Sequence, residues 1–300
     1  METFIQQFIN GLTIGSLFAL VALGYTMVYG VMKLINFAHG DLVVLSAFTG
    51  LTIYNYFFLD TPNSIFVILT IFISSAILMA IVGIVLEFFA YRPLREAPRL
   101  SAVVSALGAG MIIQNAIMLS WGPNMRIFPT DLLPNTVWNI GGVVMTFTQV
   151  AIISVSAILM IALFTFINKT KVGTAIRAVA INQDAAKLMG INVNMIIAVI
   201  FIIGSMLGAV AGLFIGANYT SITFNMGWNY GLSAFVAAII GGIGNIPGAV
   251  LGGLLLGIFN AMISGYVTSQ WAETFTYILL IVILIFRPNG ILGEKIVEKV

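Results

Sequence analysis

Long apolar runs alternate with short polar intervals along the whole chain, and that alternation predicts membrane-spanning helices. The runs are Phe8–Val31, Leu42 to about Phe58, Ile65–Tyr91, Ser101–Trp121 and Val150–Ile167. A sixth, Ile196–Ala217, carries glycine at Gly204, Gly208, Gly212 and Gly216. That four-residue repeat strips one helix face of side chains and suits close packing against another backbone. Leu232–Ile240 and Ala249–Ser264 flank Gly241-Gly242-Ile243-Gly244-Asn245-Ile246-Pro247-Gly248, and Thr274–Phe286 is the last run. Leu232–Ile240 is too short to cross about 30 Å of hydrocarbon as a helix. It is expected as a re-entrant half-helix, which needs protein or a water-filled cavity to satisfy its backbone. The pattern gives an all-α polytopic membrane protein of about eight spans with broken or re-entrant segments. The count is nine if Gly241–Gly248 separates two full crossings. Residues 1–300 read as a single transmembrane domain.

The polar intervals orient the spans. Lys33 precedes the cluster Asn36-Phe37-Ala38-His39-Gly40-Asp41, and the second span ends near Asp60 and Pro62. Arg92, Arg95 and Arg99, with Pro93 and Pro98 among them, follow the third span, and the positive-inside rule makes that loop cytoplasmic. Gly122–Gln149 holds Pro123, Pro129, Pro134, Asp131 and a lone Arg126; it is expected outside, with a small hairpin or short surface helix. Asn218–Asn229 is likewise expected outside. Lys295 and Lys299 place the C-terminus inside, and three crossings before Arg92 place the N-terminus outside. The first apolar run follows only Glu2 as a charge and is too long for a signal-peptide core, so a retained span is expected.

The longest polar interval, Lys169–Ile191 within a cytoplasmic segment of about 169–194, carries Lys169, Lys171, Arg177, Asp184 and Lys187. Asn182 suits an N-cap, Asp184 the first-turn dipole and Gly190 a C-terminal stop. The result is roughly two turns of helix, unstable alone in water. Ala185, Leu188 and Met189 share one face, so this helix is expected to dock on something.

Composition agrees. The chain is 60% hydrophobic and 7% charged, against about 25% charged in a soluble domain; mean hydropathy is +1.11. Without cysteine there is no disulfide framework, thiolate nucleophile or cysteine-ligated metal. A net charge of +2 spread over loops makes no nucleic-acid face.

Enzyme chemistry finds no foothold. No lysine follows a glycine, so a P-loop is absent, and neither HExxH nor GxSxG occurs. No metal or cofactor site is expected. Polar groups near the membrane usually face the bundle interior or water. On one reading Asn36, His39 and Asp41 line the inner part of a translocation path. On the other they satisfy the backbone at a helix break, where Gly40 allows the turn and Asp41 caps the second span. Glu87 is expected near the inner interface and paired, and Glu273 as an interfacial cap. The Gly204–Gly216 face suits a packing surface or a sliding seam. Gly11-Leu12-Thr13 through Gly24 faintly echoes Gly231-Leu232-Ser233 through Gly242, the kind of repeat common in transporters. An ion-coupled secondary transporter needs an ionisable site near mid-bilayer, and no acidic residue sits clearly at the centre of a span. A passive channel for small polar solutes is the other alternative.

Asp184-Ala185-Ala186-Lys187-Leu188-Met189-Gly190 resembles the E-A-A-x-x-x-G loop of ABC importer permeases, with Asp for Glu. The family's continuation toward Ile and Leu-Pro has no clean match. Ile35–Asp41, Arg177-Ala178-Val179-Ala180 leading into Asn182, and Gly241–Gly248 look like the LivH-type branched-chain amino acid permeases, a resemblance that covers essentially the whole chain. It implies a BtuC/RbsC-like importer architecture in a bacterial or archaeal plasma (inner) membrane. Arg177, Asn182, Asp184, Ala185, Ala186, Lys187, Leu188, Met189 and Gly190 would then form an ATPase-coupling segment. The implied partners are a LivM-like second permease, two LivG/LivF-like ATPases holding ATP and Mg, and an extracytoplasmic binding protein. Branched-chain or related amino acids would be the cargo, moved by alternating access.

Overall fold

A computed structural model describes residues 1–59 and 64–293. Asp60, Pro62, Lys295 and Lys299 lie outside the described residues. The helices are α1 (Glu2–Met32), α2 (His39–Phe57), α3 (Ile65–Leu86), α4 (Arg99–Trp121), α5 (Phe147–Lys169) and α6 (Lys171–Ile181). They continue as α7 (Gln183–Leu188), α8 (Val193–Tyr219), α9 (Met226–Gly241), α10 (Ile246–Tyr266) and α11 (Ala272–Phe286). Among the described residues seven helical segments are long and apolar enough to cross a membrane. α2 and α9 are the broken elements. At 16 residues α9 spans about 24 Å, short of the hydrocarbon thickness.

The bundle has two ends, identified by what meets there. At one, Gln6 brackets Val144, its amide donating to the carbonyl at 2.9 Å and its oxygen accepting from the N–H at 2.8 Å. Val144 belongs to a hairpin of β2 (Val137–Ile140) and β3 (Val143–Thr146). The Tyr54 hydroxyl donates to Asp131 at 2.7 Å there, and β1 (Arg126–Ile127) pairs with β4 (Ser221–Ile222). At the other end Gln183 donates to the Val31 carbonyl at 3.3 Å. The Ile291 and Leu292 N–H groups donate to Ile240 and Gly241 there, at 2.8 and 3.0 Å.

After α1 ends at Met32 the chain turns back into the interior, and α2 begins beside Gly24 of α1, about two turns up from that end. α8 and α9 repeat the manoeuvre from the opposite end. The first turn of α9 lies against Gly40, where a Cβ on Gly227 would sit 2.8 Å from the Gly40 oxygen. The start of α9, Met226–Asn229, therefore lies level with Gly40, with Gly227 buried and Trp228 and Asn229 exposed, a correction to the external segment expected for Asn218–Asn229. Its glycine and the facing Gly40 let two helix starts meet with no side chain between them.

The two halves α1–α4 and α8–α11 thus follow one plan in opposite directions. α1 packs most extensively on α10, and α8 on α3, as an inverted repeat requires. The faint sequence echo pairs the wrong elements: Gly231–Gly242 belongs to α9 and its turn, whose counterpart is α2, whereas Gly11–Gly24 belongs to α1. Matching positions in inverted halves need only similar packing, so they need share no sequence.

Close backbone approach binds the core. A Cβ on Gly257 of α10 would sit 2.1 Å from the Gly15 nitrogen of α1. On α8, Gly204 meets Gly24, Gly208 meets His39 and Val43, Gly212 meets the Val43 carbonyl, and Gly216 meets the Phe128 ring. Without hydrophobic drive between helices in lipid, such contact supplies packing energy. The outer faces of α3, α4, α5 and α11 keep large apolar side chains exposed, as a lipid-facing surface should.

Candidate functional site: a coupling knob and a cleft at mid-depth

The knob sits outside the bundle. Thr170 accepts from Gly173 N–H at 3.0 Å and caps α6, an amphipathic helix burying Gly173, Ile176 and Val179. The spacing of those three residues was the available sequence signal for α6, hidden by the charges of the interval. Arg177 folds back so that Nη1 donates to the Ile167 carbonyl at 2.7 Å and to Asn168 at 3.3 Å, placing a cation on the C-terminus of α5. Asn182 accepts from the N–H groups of Asp184 and Ala185 at 2.9 and 3.0 Å and caps α7. Gly190 ends it at φ +81°, a left-handed position that favours glycine. Ala186 is buried and seats α7, while Gln183 ties it to α1.

Three large apolar side chains remain outward beside a surface ion pair. Leu188 is 89% exposed, Met189 82% and Ile181 87%. Ala185 is also exposed. The Lys187–Asp184 pair, at 3.0 Å, lies on the surface and contributes little to stability.

A buried ion cluster stands behind the knob. A π-helical turn at Glu87–Tyr91 brings Glu87 inward, where it is 1% exposed and paired with Arg95 and, at 3.5 Å, with Arg92. Arg95 Nη1 also donates to Asn194 Oδ1 at 2.5 Å. Burial lowers the Arg95 pKa from its ordinary value, and the Glu87 carboxylate opposes that shift.

The break between α1 and α2 separates the three polar residues of the cluster. Asn36 is buried and accepts from the Tyr91 hydroxyl at 3.0 Å. His39 is buried between Gly24 and Gly208, edge-on to Tyr25 with ring centroids 5.1 Å apart. Asp41 reaches a narrow cleft with a free volume of about 20 Å³, room for about one water, lined by Tyr25, Phe37, Gly227, Trp228 and Phe235 among others. The α9 residues and Tyr25 had no sequence signal marking them for one cleft. A Cβ on Gly110, at the midpoint of α4, would lie 2.6 Å from Asp41 Oδ2. Asp41 is in the first turn of α2 and not at the centre of a span, yet this contact sets it level with the midpoint of α4. The sequence hides it because Asp41 follows a loop, and only the re-entrant turn carries it inward. Among the described residues no group of three or more His, Cys, Asp or Glu could hold a metal ion.

Helices broken at mid-depth in two inverted halves are an architecture of membrane transporters, and that is the class this bundle defines. The particular family follows from comparison. A profile described as branched-chain amino acid transport system / permease component matches residues 7–284. The chain is 42% identical over 303 residues to the high-affinity branched-chain amino acid transport system permease protein BraD of Pseudomonas aeruginosa, covering 99% of this chain and 98% of that one. It is 38% identical, with the same coverage, to LivH of Escherichia coli K12, which carries the same description. A shorter match, 30% identical over 135 residues and 43% of this chain, links it to the ribose import permease protein RbsC of Haemophilus influenzae, 42% of which is covered. The chain belongs to the branched-chain amino acid transport permease family. No solved structure matches it.

Proposed function

We propose that this chain is the membrane-spanning permease subunit of an ATP-driven importer of branched-chain or related amino acids. The observation that carries the reading, beside family membership, is the apolar tip of the knob. Ile181, Leu188 and Met189 stand exposed on a capped, anchored platform outside the bundle. Large apolar groups held out in water point to a protein partner. An ATPase seated there would move α7, and α1, α6 and α8 would carry the motion inward. With no phosphate-binding loop of its own, the subunit depends on partner ATPases for nucleotide and Mg. A LivM-like second permease would complete the pore, and an extracytoplasmic binding protein would deliver cargo.

The orientation is part of the proposal. Lys33, Arg92, Arg95, Lys169, Lys171, Arg177, Lys187 and Arg287 gather at the knob end, and Arg126 stands at the other. That asymmetry supports a cytoplasmic knob and C-terminus, with the N-terminus outside.

Reconstitution in proteoliposomes with both ATPases, the second permease and leucine-loaded binding protein tests the reading. Leucine uptake should require ATP and each component. Uptake that persists without the ATPases would replace it with a secondary transporter or channel.

A further inference from the structure

We infer that the cleft around Asp41 is a transient site for the cargo's primary ammonium group. This rests on the importer reading and names the part of the path where the amino acid is held. Asp41 is the only acidic side chain lining the cleft, and among the described residues no cation of this chain pairs with it. A carboxylate at mid-depth is costly without a counterion or water. Two glycines lie close against it: a Cβ on Gly227 would lie 2.7 Å from Oδ1, and one on Gly110 2.6 Å from Oδ2. Both oxygens thus pack against bare backbone with no side chain over them, and the cleft has to widen to admit an ammonium group.

The walls suit the same ligand. Phe235 lies 6.0 Å from Tyr25 and 5.9 Å from Phe37 between ring centroids, and Trp228 completes the lining. Aromatic faces around one carboxylate attract an organic cation, and their apolar surface accepts an aliphatic side chain. The site sits between the starts of α2 and α9, which come from opposite halves of the repeat. Movement of the halves against each other would open and close it, as alternating access requires.

The assembled complex in nanodiscs provides the test. Saturation-transfer NMR without binding protein should detect leucine and not 4-methylpentanoate, which is leucine without its amine. Asp41→Asn should remove the leucine signal and lower leucine import about tenfold or more, while Asp41→Glu retains more of both. Equal signals for leucine and 4-methylpentanoate on the wild-type complex would overturn the site, even if Asp41→Asn failed to assemble. Import by Asp41→Asn within about twofold of wild type would do the same and leave the importer reading standing. A wild-type complex unable to import leucine would remove both.

Discussion

Arg95 bridges Glu87 and Asn194: one nitrogen donates to the Asn194 side chain at 2.5 Å, and the other meets the buried Glu87 carboxylate. Asn194 lies in the first turn of α8, directly after the knob, and Glu87 at the end of α3. A single guanidinium therefore clamps the exit of the coupling segment to a helix of the other half. Arg95→Ala should leave the Glu87 carboxylate with only the longer Arg92 contact at 3.5 Å and destabilise the protein by about 1–3 kcal/mol, read as a fall in Tm of the purified subunit. Arg95→Ala with Glu87→Gln should recover much of that loss, because no buried carboxylate then remains and Arg92, 37% exposed, is reached by solvent.

The knob's tip contributes little to the fold of the isolated chain. Leu188→Asp and Met189→Asp touch side chains that are 89% and 82% exposed, so stability should change by less than about 0.5 kcal/mol. Co-purification of the ATPases and ATP-dependent uptake should nevertheless fall by at least about tenfold, since a charge would enter an apolar contact.

Asn182→Ala removes the acceptor for two N–H groups at the start of α7. A loss of about 1 kcal/mol in local stability is expected. Hydrogen exchange at Asp184 and Ala185 should accelerate while that of α8 stays unchanged, and ATP hydrolysis should become less tightly linked to uptake.

Gly257→Leu should prevent the α1–α10 contact, where even a Cβ would lie 2.1 Å from the Gly15 nitrogen. Overpacking typically costs about 1–3 kcal/mol, and a backbone obstacle cannot swing aside, so loss of monodisperse protein in size-exclusion chromatography is expected. Gly108→Leu is the control, because a Cβ there meets nothing within 4 Å; it should purify like wild type.

The spans, the hairpin loop and the capped knob were legible in the sequence because each rests on local rules. Apolar length marks a crossing, Asn182 and Gly190 punctuate a helix, and lysine and arginine favour one side. The family resemblance was also readable in Asp184–Gly190 and Gly241–Gly248. Only the tertiary structure decided that Asp41 lies level with the midpoint of α4, that Gly227 at the start of α9 meets Gly40, and that α2 rather than α1 is the counterpart of α9. Those facts depend on where a loop re-enters and which backbones meet, and glycines such as Gly40, Gly110 and Gly227 permit the contacts without specifying them. A residue's hydropathy reports whether it can enter the membrane; its depth and its neighbours are fixed by contacts between segments far apart in the chain.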